Sequence, residues 1–80
     1  MGDLFMYEKI YNGIMGYCEQ KQIKKVSMVS IIVNNDTDID KKSLLEYLRR
    51  RNGEKIGRWT KVQIERQPIG NITAIIKSIA

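Results

Sequence analysis

The stretch KVSMVSIIV at residues 25–33 constrains the fold of this chain more than any other segment. Its apolar side chains lie on both faces of a strand, and Ser30 interrupts the face that carries Val26, Met28 and Ile32. One face carries Val29, Ile31 and Val33, and the other carries Val26, Met28 and Ile32. Such a segment is typical of the centre of a sheet. It predicts either a central strand or a strand whose second face meets a partner.

Two segments have the pattern of helices. Residues 4–22 repeat apolar side chains every three or four positions, and Asp3 stands where a residue can cap the first free backbone amides. A polar loop then leads to Asp40, which is a good N-cap for a second helix running to about Asn52. Gly53 is expected to end that helix in the left-handed conformation.

Two further segments have the pattern of strands. Residues 59–67 alternate polar and apolar side chains, which predicts a half-buried antiparallel strand. The sequence Pro-Ile-Gly-Asn at 68–71 predicts a turn, and residues 72–79 predict a returning strand. The expected fold is a single α+β domain over residues 1–80, in the order α-β-α-β-β. Its two helices are expected to pack on one face of a mostly antiparallel three-stranded sheet.

The inventory of reactive side chains is small. The chain has no histidine, and Cys18 is its only cysteine. Histidine-based catalytic triads are therefore excluded, and a single thiol completes neither an internal disulfide nor a thiolate metal site. The sequence predicts a non-catalytic protein without metal or cofactor. A lone free cysteine fits the cytoplasm, and no apolar run is long enough to predict a membrane span.

The strongest chemical feature is the basic stretch LRRRNGEKIGRW at residues 48–59, in a chain of net charge +5. Cations can bind phosphates and a tryptophan can stack on a base, so this stretch suggests contacts with nucleic acid. The candidate contacts are Arg49, Arg50, Arg51, Lys55, Arg58, Trp59 and Lys61. The favoured interpretation is instead that these cations complement the C-terminus of the second helix, as cations commonly do. Three successive helical arginines point about 100° apart, so they need not form one patch.

The segments MGDL, KKVSMVSIIV, DTDIDKKSLLEYL, NGEKIG and WTKVQIERQP follow one another over residues 1–68. In this order they resemble the HypA/HybF family of hydrogenase nickel-insertion accessory proteins. Members of that family begin with Met-His-Glu-Leu, whereas Gly2 and Asp3 stand at the positions of its nickel-binding His and the neighbouring Glu. The zinc-binding insertion with paired Cys-x-x-Cys motifs is absent. The resemblance implies a metal-free scaffold relative that retains a protein-docking role.

Two functions follow from these observations. The first is a protein-interaction or accessory module, whose partner is another protein or a second copy in a homodimer. It is suggested by the lack of catalytic chemistry and by the strand with two apolar faces. Its candidate partner surfaces are a sheet edge and the helical face that carries Tyr7, Tyr11 and Ile14, although core packing is the favoured use of that face. The alternative function is a small basic nucleic-acid-binding protein that uses the segment from Arg49 to Lys61.

Overall fold

The computed structural model describes residues 4–80, which form two helices and three strands. The elements are α1 (Leu4–Lys21), β1 (Met28–Asn34), α2 (Lys41–Arg51), β2 (Lys61–Gln67) and β3 (Ala74–Ile79). The predicted α+β class and the α-β-α-β-β order are confirmed. The proposed cap Asp3 lies outside the described residues. None of the helices within residues 4–80 has the length and hydropathy needed to cross a membrane.

The sheet has the order β2-β1-β3, so β1 is its central strand. β2 runs parallel to β1 with Met28 opposite Lys61, and β3 runs antiparallel to β1 with Val29 opposite Ile79. The sheet is therefore mixed rather than mostly antiparallel, since the antiparallel prediction is right for β3 and wrong for β2. The predicted return of residues 72–79 beside residues 59–67 is also wrong, because β1 lies between β2 and β3. β1 is the strand with apolar groups on both faces, and it takes a neighbour on each side. The chain reaches β2 through α2, as parallel neighbours require, and then crosses back to the far edge.

The core lies between the sheet and both helices, which confirms that the helices share one face. Its β1 residues are Val29, Ile31 and Val33, and its helical residues include Ile10 and Ile14 of α1 with Leu44 and Leu48 of α2. Burying each such side chain contributes about 1.5–3 kcal/mol. The rings of Tyr7 and Tyr47, with centroids 5.3 Å apart, connect the two helices. On the other face of β1, Met28 and Ile32 remain partly exposed.

The ends of α2 follow one prediction and depart from another. Asp40 is the N-cap, and its carboxylate accepts a hydrogen bond from the Ser43 backbone N–H at 3.1 Å. At the other end, Asn52 has φ −153°, and none of the glycines in residues 4–80 has a positive φ. The prediction for Gly53 is therefore wrong. Asn52 ends the helix because its side-chain oxygen accepts from the Lys55 N–H at 3.2 Å and turns the chain.

Candidate functional site

The segment between α2 and β2 is tied to the segment that precedes β1. The Val26 N–H donates to the carbonyl of Lys55 at 2.8 Å, and the Thr60 hydroxyl donates to the carbonyl of Val26 at 2.7 Å. The same hydroxyl accepts from the Gly57 N–H at 3.1 Å, and Ile56 is fully buried beneath. These buried contacts hold residues 55–60 in one place, so the side chains that leave this segment start from a fixed backbone.

Trp59 leaves this segment toward solvent, with 46% of its surface exposed. A Cβ added to Gly57 would lie 2.5 Å from Cη2 and Cζ3 of Trp59, so the six-membered ring lies directly against the Gly57 backbone. The Nζ atom of Lys25 lies 4.2 Å from the ring centroid, which is within cation–π distance. The indole is thus held by a glycine and a lysine but remains open to a ligand.

Two grooves meet at Trp59. The first has a volume of about 550 Å³ and runs along the C-terminal half of α2, lined by Glu46, Arg49, Arg50, Gly53, Ile56, Gly57, Arg58 and Trp59. The second has a volume of about 460 Å³ and lies between α2 and β2, lined by Lys41, Lys42, Leu45, Arg58, Trp59, Thr60, Lys61 and Val62. Because Arg58 and Trp59 line both grooves, the two form one continuous region. We call these residues together with Lys25 the Trp59 surface.

The Trp59 surface is strongly basic. Half of the 14 lysines and arginines of the chain belong to it: Lys25, Lys41, Lys42, Arg49, Arg50, Arg58 and Lys61. Glu46 is its one acidic residue. Within residues 4–80 the only ion pair joins Lys77 to Glu65, outside this surface, and none of the seven side chains donates a hydrogen bond to another described residue. Their charges are therefore available to an anion.

The structure brings together most of the predicted nucleic-acid contacts. Arg49, Arg50, Arg58 and Trp59 line the first groove, and Lys61 lines the second. They belong to one surface even though the first two leave the helix in different directions. The convergence arises because the chain after α2 turns back and places Arg58 and Trp59 beside the last turn of that helix.

Two of the predicted contacts point elsewhere, which corrects the expectation for them. The guanidinium carbon of Arg51 lies 4.3 Å from the centroid of Tyr11, and its Nη1 donates to the Tyr47 hydroxyl at 2.5 Å. The Nζ of Lys55 donates to the carbonyl of Ile23 at 3.0 Å. Arg51 therefore connects α1 to α2, and Lys55 holds the segment before β1, so neither faces the grooves.

Three cations of the surface are absent from the sequence-based set. Lys25 precedes β1, and Lys41 and Lys42 begin α2. Lys25 reaches Trp59 only because β1 and β2 are parallel and start side by side, with Met28 opposite Lys61. Lys25 could have been identified only from a prediction that β1 and β2 pair in parallel. The alternating pattern of β2 does not give that prediction, because it does not distinguish parallel from antiparallel neighbours.

The predicted partner surface on α1 is mostly covered. Ile14 is fully buried in the core and cannot contact a partner, which corrects the expectation for that residue. Tyr7 and Tyr11 are partly buried and pack against the core, where Tyr7 meets the ring of Tyr47 and Tyr11 meets Arg51. This face of α1 therefore packs against the core, which is the role that the sequence favoured for it.

The one thiol of the chain, that of Cys18, lies in the hydrophobic core. Cys18 is buried, and burial raises the pKa of its thiol, with Lys55 acting weakly in the opposite direction. The thiol is therefore protonated at neutral pH and is a poor nucleophile. Within residues 4–80, no group of three or more His, Cys, Asp or Glu side chains is arranged to hold a metal ion. The Trp59 surface can bind anions by charge and an aromatic group by stacking.

No protein-family model, curated protein or solved structure matches the chain. The resemblance to the HypA/HybF family therefore stays a prediction. Gly2 and Asp3, at the positions of that family's nickel-binding His and neighbouring Glu, lie outside the described residues.

Proposed function

We propose that the protein binds nucleic acid through the Trp59 surface and acts without catalysis, metal or cofactor. The supporting observation is the convergence of seven cations, none of which donates a described side-chain hydrogen bond or forms a described ion pair, around a half-exposed tryptophan. Such a group of cations binds a polyanion with closely spaced phosphates, because each neutralised phosphate releases a counterion. The guanidinium groups of Arg49, Arg50 and Arg58 add bidentate contacts to phosphate oxygens.

The helix dipole does not account for this surface. Cations in the last turn complement the C-terminal end of α2, and this explains Arg49 and Arg50. It does not explain Lys25 before β1, Lys41 at the opposite end of α2, or Lys61 in β2. Four segments of the chain thus contribute cations to one region, which is the distribution that a binding surface requires.

The experiment compares two double variants that remove the same net charge. R50A/R58A removes cations that line the grooves, and K9A/K77A removes cations on α1 and β3 outside the Trp59 surface. Affinity for a labelled oligonucleotide is measured from about 50 to 200 mM salt. We expect R50A/R58A to weaken binding and to reduce the slope of log K against log salt by about 1.4–1.8, at ~0.7–0.9 per neutralised phosphate.

The control variant K9A/K77A should keep the slope of the wild type. Equal losses in the two variants would show that binding depends on net charge alone. Failure of the wild-type protein to bind at the lowest salt concentration would refute the proposed function.

A protein-interaction module is the second candidate, and the exposed apolar groups at one end of the fold favour it. Phe5 is 58% exposed and Ile72 is 64% exposed, and the two line one groove together with Asp36 and Asp38. Apolar residues with an acidic border fit a partner that is apolar and basic, in keeping with the docking role that the family resemblance implies. A second copy in a homodimer is the other partner that this groove fits, and sedimentation of the wild type and of I72E distinguishes the two.

Both candidate functions suit the cytoplasm, where the single free thiol of Cys18 stays reduced. We therefore propose a cytoplasmic protein whose activity is binding.

A further inference from the structure

The contact between Lys25 and the Trp59 ring affects which kind of nucleic acid this surface can bind. One side of the six-membered ring lies against Gly57, where even a Cβ atom would come within 2.5 Å of the ring. No ligand can enter between them. The Nζ atom of Lys25 lies over the ring, 4.2 Å from its centroid. Lys25 is an exposed side chain with no other described hydrogen bond or ion pair, so it can leave without disturbing the fold.

We infer that the surface prefers single-stranded to double-stranded nucleic acid, because one base of the single strand stacks on Trp59 in the place that Lys25 occupies in the free protein. This inference rests on the proposed function. An exposed lysine over an aromatic ring contributes less than a base stacked on it, so the exchange favours the base. The displaced lysine is not lost to binding, because its ammonium group then stands beside the backbone of the same strand and neutralises a phosphate.

A duplex cannot make the same contact. Its bases are stacked on one another and paired, so a base reaches Trp59 only after it is unstacked and unpaired. The grooves on either side of Trp59 would still attract duplex phosphates, because Arg49, Arg50 and Arg58 bind phosphate in either form. The expected distinction is therefore one of affinity: both forms bind through the cations, and only the single strand gains the stack.

Trp59 is the only tryptophan of the chain, so its fluorescence reports on this contact directly. The test compares oligothymidylate of about 12 nucleotides with a duplex of the same length at one salt concentration. Affinities are measured by anisotropy for the wild type, W59F and W59L, and the fold of each variant is checked by circular dichroism. We expect the wild type to bind the single strand about tenfold more tightly, with quenching of Trp59 emission. W59L should lose about tenfold on the single strand and little on the duplex, whereas W59F, which keeps a stacking ring, should lose less.

Two further variants test the role of Lys25 itself. K25A should make Trp59 of the free protein more accessible to acrylamide, whereas K24A, which removes the neighbouring lysine, should not change that accessibility. Equal affinity of the wild type for both forms, or unchanged single-strand affinity in W59L, would overturn the inference and leave the proposed function in place. Equal accessibility of Trp59 in K25A and the wild type would overturn the exchange. Absence of binding to either form would remove both conclusions.

Discussion

The Nζ atom of Lys25 lies 4.2 Å from the centroid of the Trp59 ring, although 34 residues separate them in the chain. The contact exists because β1 and β2 are parallel neighbours that begin at the same end of the sheet. The Thr60 hydroxyl, bonded to the carbonyl of Val26, fixes the two segments at this point. The topology of the sheet therefore places a cation over the one exposed tryptophan, and this pairing is the centre of the basic surface.

A first prediction concerns the glycine beneath the ring. In G57A the new Cβ would meet Cη2 and Cζ3 of Trp59 at 2.5 Å, which is too close for a rigid aromatic ring. We expect the indole to move, the Trp59 emission maximum to shift, and oligonucleotide affinity to fall by about tenfold. The control is G16A, where nothing lies within 4 Å of an added Cβ. That change should leave binding unaltered and stabilise α1 by up to about 1 kcal/mol. Unchanged emission and affinity in G57A would contradict the prediction.

A second prediction separates two arginines by function. Arg51 stacks on Tyr11 and donates to Tyr47, whereas Arg58 lines both grooves without a described partner. We expect R51A to lower the free energy of unfolding by about 0.5–1 kcal/mol and to leave oligonucleotide affinity unchanged. R58A should do the opposite, with weaker binding and unchanged stability. Urea unfolding and anisotropy titrations measure the two quantities. Equal weakening of binding by both variants would contradict the assignment.

The order of the helices and strands and the identity of the central strand could be predicted from the sequence. The apolar residues on both faces of 25–33 predicted either a central strand or a strand whose second face meets a partner, and β1 is the central strand. The pairing of β2 could not be predicted in the same way. Its alternation, with Val62 buried and Lys61 exposed, suits an edge strand of either direction. The direction depends on which edge of β1 is taken by β3, and no local pattern encodes that choice.

The same limit applies to the candidate site. Arg49, Arg50, Arg58 and Trp59 are near one another in sequence, so their convergence required only a tight turn after α2. Three successive helical arginines cannot all face one groove, and it is Arg51 that turns away. The reason is the position of α1, which brings Tyr11 within reach of Arg51 and is set by the packing of the whole core.

A third prediction concerns the end of α1. Gln22 has φ 59°, the left-handed conformation, and the Ile23 N–H donates to the carbonyl of Cys18 at 2.9 Å, which is the bond of a Schellman cap. Glycine adopts this conformation without the steric cost that a side chain meets. We expect Q22G to raise the free energy of unfolding by about 0.5–1 kcal/mol, seen in urea unfolding. The matched control is Q20G inside α1, which should lower it by up to about 1 kcal/mol. A loss in Q22G as large as that in Q20G would contradict the prediction.

A fourth prediction concerns the buried hydroxyl that joins the two segments beneath the site. Thr60 donates to the carbonyl of Val26 and accepts from the N–H of Gly57, and it is 6% exposed. In T60V both backbone groups lose their partner, at about 1–3 kcal/mol for each buried group left unsatisfied. We expect T60V to lose about 2–6 kcal/mol in urea unfolding, and T60S, which keeps the hydroxyl, to lose much less. Equal stability of T60V and T60S would show that these bonds contribute little.

The last prediction concerns the cap of α2 and its dependence on pH. Hydrogen bonds from the side chain and the backbone N–H of Ser43 hold the pKa of Asp40 below its usual value. Because the pKa is lower in the folded state, the stabilisation is complete above the unfolded value near pH 4 and is lost as the pH falls through the folded value. We expect D40A to have a lower Tm than the wild type at pH 7, and the difference to narrow toward about pH 3. The difference between D40N and D40A should stay constant, because asparagine caps a helix but does not titrate in this range. A Tm difference between the wild type and D40A that is the same at both pH values would show that the carboxylate charge does not stabilise the cap.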